Sequence, residues 1–262
     1  MPVLRQRLSD LTCVLALGLA TACASAPPSF EDVPPAEELY AKAVKIMEGG
    51  RWLWIIPHTD YKEAIETFQA IIDNYPYSDY AVQAELAIAD AYFEDEKYEE
   101  ALSYYRDFGD LHPQHEKVPY TLFQAALCHE RRKRSPNRDQ TPTRDALVFL
   151  DQLLSKYPHS PQATEAEALW RDLRLRLARQ VRLIARFYQK RGEWESAGDR
   201  WRTLLNEYPG LGLDAEALYQ LAVCYTEMNR LEEADNIFQA IVQNYQDSEW
   251  ADDAQQRIAA SN

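Results

Sequence analysis

Small and bulky apolar residues recur along the chain in a fixed order. The stretch TFQAIIDNY at 67 to 75 returns as IFQAIVQNY at 237 to 245, and YRDFGDLHP (105 to 113) and WRTLLNEYP (201 to 209) are weaker copies. Aligned on their small residues, these segments give a helix A marked by Ala43, Ala89, Ala126, Ala185 and Ala222, and a helix B marked by Ala64, Ala101, Ala146, Ala197 and Ala234. A bulky residue follows each helix B alanine by four (Phe68, Tyr105, Leu150, Trp201, Phe238), which places it on the same helical face one turn later. Proline follows the same alanines by twelve at Pro76, Pro113, Pro158 and Pro209, where it ends helix B; Gln246 stands there in the last unit. Small residues let two antiparallel helices approach closely, and helix pairs repeated on this pattern form tetratricopeptide repeats. The expected fold is all-α: a tetratricopeptide-repeat solenoid of five helix pairs, in two lobes joined by a long helix.

The spacings locate the irregularities. From helix A alanine to helix B alanine the interval is 12 in units two, four and five, but 21 in unit one and 20 in unit three, so two turns carry insertions. From proline to the next helix A alanine it is 13 three times and 27 between Pro158 and Ala185. The 14 additional residues are close to four helical turns and lengthen a helix without rotating its face. Residues 162 to 191 contain neither Gly nor Pro, and Gly192 stands where a helix C-cap belongs, so a single helix of about 30 residues, about 45 Å long, is predicted.

Composition adds a destination. The chain is 46% apolar and 27% charged, a globular balance, with a formal charge of -14 and a pI near 4.8, which disfavours nucleic acid as a partner. Arg5 and Arg7 precede the apolar stretch 11 to 22, too short to span a bilayer and suited to a secretory signal. Cys23 follows at once. The segment resembles the lipobox of bacterial lipoproteins, although Ala20 stands where that motif usually has Leu, and acylation of Cys23 is expected. The organisation read from the chain is a signal peptide at 1–22, a lipidated cysteine with a Pro-rich tether at 23–35, and repeats one to three at 36–160. The connecting helix with helix A of repeat four follows at 161–191, and the rest of repeats four and five at 192–262. Cys128 and Cys224 fall on helices of non-adjacent units, too far apart for a disulfide, and read as small buried hydrophobes.

Catalytic signatures are missing: the chain has no G-x-S-x-G, H-E-x-x-H or C-x-x-C and no Gly-rich phosphate loop. No enzyme activity, cofactor or metal is expected. His112 and His115 have the spacing of a metal pair, but Pro113 ends a helix between them and no third ligand is near. His129 occupies the place of Tyr92, Tyr188 and Tyr225 in other units and reads as a packing residue. Two features stand out. RWLWIIP (51 to 57), the insertion of unit one, is either a partner or membrane-interface contact or a cap over the end of the solenoid. Arg179, Arg182, Arg186 and Lys190 share one face of the long helix, in a stretch (171 to 202) with ten Lys/Arg against four Asp/Glu; they are either a solvated or internally paired face or a site for an acidic or carboxylate-bearing partner. The RRKR run at 131 to 134 opens a solvated loop, after which Thr141 and Pro142 read as N-cap and first residue of a helix.

The signal ending in cysteine, the five repeats, DNYPYSDYAVQAELAIADAYF (73 to 93), NRDQTPTRDAL (137 to 147) and RFYQKRGEWESAGDRWRTLLNEYPGLGLDAEAL (186 to 218) together resemble the BamD family, lipoproteins of the bacterial outer-membrane β-barrel assembly machinery. The resemblance covers nearly the whole mature chain. It implies a scaffold anchored by lipid to the periplasmic face of the outer membrane, with unfolded β-barrel precursors and the POTRA domains of the barrel-forming subunit as partners. Carried over by repeat position, the substrate-groove residues would be Tyr40, Val44, Leu86, Phe93, Tyr120, Phe123 and Gln124. A repeat lipoprotein organising peptidoglycan enzymes or pilus parts is the alternative.

Overall fold

A computed structural model describes residues 33–52, 56–132, 135 and 138–261; the signal segment, Cys23, most of the tether and residues 133–134 of the basic run lie outside it. The helices fall in pairs: α1 (Ala36–Met47) with α2 (Tyr61–Asn74), α3 (Asp79–Glu94) with α4 (Tyr98–Leu111), α5 (Val118–Arg131) with α6 (Thr141–Lys156), α7 (Ala163–Lys190) with α8 (Trp194–Glu207), and α9 (Asp214–Glu227) with α10 (Leu231–Asn244). A last helix, α11 (Glu249–Ser261), stands alone on α10 and α9. The ten marker alanines are all buried, as are the five bulky residues four positions after the helix B alanines. Close helix contact is therefore made where a methyl group faces the neighbouring helix, and the larger side chain fills the space one turn on.

The long helix runs over 28 residues, about 42 Å. Its first half contributes Ala166 and Leu173 to a core shared with α5 and α6, and its second half contributes Ala185 to a core shared with α8, α9, α10 and α11. One helix thus belongs to both lobes. Gly192 follows it at φ +73°, in the left-handed conformation that lets the amides of Gly192 and Glu193 return to the carbonyls of Gln189 and Tyr188. Glu96 and Asn229, both at φ +59°, make the same turn after α3 and α9.

The two insertions take different forms. In unit one, Gly50–Trp52 (β1) and Ile56–His58 (β2) pair antiparallel, with Arg51 opposite Pro57. This hairpin is a small exception to the all-helical expectation; the side chains of the aromatic stretch 51 to 57 are outside the described residues. In unit three, α6 starts at Thr141 rather than after it. Asp139 Oδ1 accepts from the Thr141 amide (3.0 Å) and hydroxyl (2.8 Å), so Asp139 does the capping expected of Thr141. At the tether's end, Tyr75 Oη donates to the carbonyls of Val33 (3.3 Å) and Pro34 (3.1 Å), pinning the start of the solenoid to the end of α2.

The helix α11 was not foreseen as a separate element, yet its signal is in the sequence. SEWADDA (248 to 254) copies SDYAVQA (78 to 84), the start of α3. Ala251 and Ala254 are buried as Ala81 and Ala84 are, and Trp250 packs on Tyr219 with ring centroids 5.2 Å apart. It is a sixth helix A without its helix B, and it covers the apolar face that a terminal repeat would otherwise expose.

Proline proves unnecessary for ending helix B. Tyr245 before Gln246 has φ -130°, ψ 41°, close to Tyr75 (-133°, 49°), Tyr157 (-131°, 52°) and Tyr208 (-130°, 46°), which precede prolines. The residue at 246 therefore already sits after a proline-compatible conformation. Gln246→Pro should raise stability by about 0.4–1 kcal/mol, chiefly by restricting the unfolded chain; urea denaturation of both forms measures it, and a lower midpoint would contradict the shared geometry.

Candidate functional site

Helices α1, α3 and α4 and the α4–α5 turn enclose an open cavity of about 390 Å³. Tyr40 of α1, Leu86, Ala87 and Asp90 of α3, and Phe108 of α4 form walls and floor, with His115, Glu116 and Lys117 from the turn. Asp90 is the organising residue. Its Oδ1 accepts from Tyr105 Oη (2.7 Å) and Tyr120 Oη (2.8 Å), and Tyr120 Oη accepts in turn from Gln124 Nε2 (2.8 Å). One carboxylate thereby ties α3, α4 and α5 together. Burial raises the Asp90 carboxyl above its ordinary value; the two tyrosine bonds pull it back, and Glu94 raises it again. Tyr105 and Tyr120 are raised by their own burial and by the charge of Asp90.

All seven predicted groove residues are half-buried, but they do not form one surface. Tyr40 and Leu86 line the cavity, and Tyr120 and Gln124 join it through Asp90. Val44 packs against the core of unit one, Phe93 meets Tyr98 edge-on at 5.4 Å in unit two, and Phe123 lies against the core of unit three. The residue that gathers the first four, Asp90, was missed. Its only sequence signal is a carboxylate directly after the packing residue Ala89, inside the apolar run LAIADAYF.

The basic face of α7 divides in two. Arg182 Nη1 lies 3.0 Å from Glu216 Oε2 and Arg186 Nη2 lies 2.6 Å from Glu216 Oε1, so one buried carboxylate of α9 is held by both guanidiniums. These two arginines are spent on holding units four and five together. Arg179 and Lys190 are exposed and have no carboxylate within salt-bridge distance among the described residues. Beside them Leu183 and Phe187 are also exposed, and Arg191 lies over the Phe187 ring at 5.5 Å. The exposed part of this face is thus a mixed basic and apolar ridge.

The remaining singled-out residues are structural. Gln140, buried in the NRDQTPT loop, donates to the carbonyls of Ser135 (3.0 Å) and Arg138 (3.1 Å), while its Oε1 accepts from Thr143 Oγ1 and Arg176 Nε, both at 3.0 Å. The loop is thereby fastened to the long helix. His112 Nε2 is 2.6 Å from Glu85 Oε2. His129 is buried and stacks on Phe149 (5.7 Å), and burial lowers its pKa. Cys128 and Cys224 are free and buried; burial pushes their thiols up to about 12 and about 11, which leaves both unreactive at neutral pH.

Comparison with known proteins agrees with this architecture in extent. Residues 35–236 match the profile of the YfiO family, described as outer membrane lipoprotein. The outer membrane protein assembly factor BamD of Vibrio cholerae is 31% identical over 230 residues, covering 81% of this chain and 91% of the relative. BamD of Xylella fastidiosa (strain 9a5c) is 28% identical over 243 residues, covering 88% and 80%, and that of Rickettsia prowazekii is 27% identical over 241 residues, covering 92% of each.

Two stability outcomes follow from the Glu216 and Asp90 carboxylates. Glu216→Gln should cost about 1–3 kcal/mol, less than a fully buried pair loses, because both guanidiniums reach solvent; Arg179→Ala should change stability by less than about 0.5 kcal/mol. Equal effects in thermal melts would show that Glu216 anchors nothing. For Asp90 the folded pKa is raised, so its contribution to stability is complete below the unfolded value and is lost as pH rises through the folded value. Asp90→Asn should therefore gain on the parent chain as pH is taken from 4 to 7; urea midpoints that keep a constant difference would refute this.

Proposed function

The chain belongs to the BamD family of outer membrane protein assembly factors, and from that premise we propose that it is the substrate-receiving scaffold of the β-barrel assembly machinery. It works by binding alone. Cys23 carries the lipid that holds it to the periplasmic face of the outer membrane, and the Pro-rich tether spaces the solenoid from the bilayer. Helices A of units one to three receive the extended chain of an unfolded barrel precursor. Units four and five, with the ridge of Arg179, Leu183, Phe187 and Lys190, meet the POTRA domains of the barrel-forming subunit.

The observation that carries this reading is the cavity between units one and two, where aromatic and aliphatic walls of α1, α3 and α4 meet polar groups of α3 and of the turn into unit three. Such a surface suits an extended peptide, whose alternate side chains enter pockets. An array of helix pairs offers a long wall with repeated spacing, which is what a receiving scaffold needs.

Crosslinking in envelope extracts tests both halves. A photoreactive residue at Leu86 should capture barrel precursors, and one at Arg179 should capture the POTRA subunit. The double reversal Arg179→Glu with Lys190→Glu should weaken co-purification of that subunit about tenfold with an unchanged melting temperature. Reversing Arg182 or Arg186 is the wrong test, because it breaks the Glu216 contact. Capture of wall hydrolases or pilins at Leu86 would favour the peptidoglycan or pilus role instead.

A further inference from the structure

The cavity on α1, α3 and α4 holds more negative than positive charge. Asp90 and Glu116 line it against a single ammonium, Lys117, while Glu85 beside it is engaged by His112. Only Oδ1 of Asp90 is used by Tyr105 and Tyr120; Oδ2 accepts from none of the described residues. Asp90 is half-buried and lines the open cavity, so an incoming donor would displace water from it.

The walls fit the rest of such a donor. Val82, Leu86 and Ala87 present aliphatic surface and Tyr40 an aromatic ring, while Phe108 is buried beneath His112 and His115. A lysine or arginine stem packs well on aliphatic surface, and its cationic head is attracted by ring faces and a carboxylate together. We infer that this cavity is a side-chain pocket that takes a lysine or arginine of the bound extended polypeptide, with the cationic head at Asp90 Oδ2. This inference rests on units one to three receiving extended chains, and it adds a selection rule to that role: a basic residue in the segment is read out by Asp90. The raised carboxyl agrees with it: burial, helped by Glu94, outweighs the two tyrosine hydrogen bonds and Lys117, so a further cation would favour the charged form.

The test compares two fluorescent peptides blocked at both ends, Ser-Val-Thr-Lys-Thr-Val-Ser and the same sequence with norleucine for lysine. Norleucine keeps the stem and removes the charge. Their binding to the full chain in detergent is followed by anisotropy. The lysine peptide should bind about tenfold more tightly, as a charge-assisted hydrogen bond would give. With Asp90→Asn the two peptides should bind alike, at the affinity of the norleucine peptide. Equal affinities on the parent chain would overturn the pocket while leaving the receiving groove intact. A preference that survives Asp90→Asn would also overturn it, by assigning the effect to the diffuse acidity of the chain. Binding of neither peptide would overturn the groove and the pocket together.

Discussion

The structure depends on how closely two helices can approach where alanine faces the neighbouring helix. Ten such alanines are buried, and each helix B places a bulky residue one turn beyond its own. An alanine replaced by a larger residue would push a pair apart, and because each unit packs on the next, the displacement would pass along the stack. The seam positions are therefore fixed by packing and leave no freedom for function. The proposed recognition surfaces use residues beside them, on exposed and half-buried helix faces. The cavity and the Asp90 network are built from α1, α3, α4 and α5 with the α4–α5 turn, and the basic ridge from α7.

The same constraint decides what could be read from the chain. The alanine seam, the bulky residue at the fourth position and the length of α7 were legible because they are local and periodic. Gly192 was legible because a left-handed turn favours glycine, although Glu96 and Asn229 make the same turn without it. Asp90 and Glu216 were not legible. Among 42 acidic residues, each acquires its meaning from partners on other helices: Tyr105 and Tyr120 are 15 and 30 positions from Asp90, and Arg182 and Arg186 are 34 and 30 from Glu216. The spacing of Arg179, Arg182, Arg186 and Lys190 placed them on one face correctly, but which of them face α9 and which face solvent depends on where unit five stands. The helix α11 could have been read by aligning SEWADDA with SDYAVQA; counting complete pairs concealed it.

The two carboxylates show how one chemical group serves different ends. Glu216 is saturated, with one oxygen to each of two arginines, so its site is a fastening between α7 and α9. Asp90 has both tyrosines on one oxygen and keeps the other uncommitted. A fully satisfied network rigidifies, while a partly satisfied one retains a binding capacity and costs stability when empty. Burial raises the Asp90 carboxyl, in the lobe where the cavity is.

The long helix sets how these two regions can work together. It contains no Gly or Pro between Ala163 and Lys190, and its two halves are built into different cores, so bending it would require one core to open. The Gln140 contact to Arg176 and the Gln180 contact to the Arg138 carbonyl (3.2 Å) add a brace from the unit-three loop near its middle. The separation between the cavity and the basic ridge is therefore fixed by a rod rather than set by a hinge. On the proposed reading, a chain held at one end is presented to a partner at the other with constant geometry. Under that proposal release would come from competition: strand pairing in the growing barrel must outweigh contacts in the groove, and a groove that binds through separate side-chain pockets can be emptied one pocket at a time.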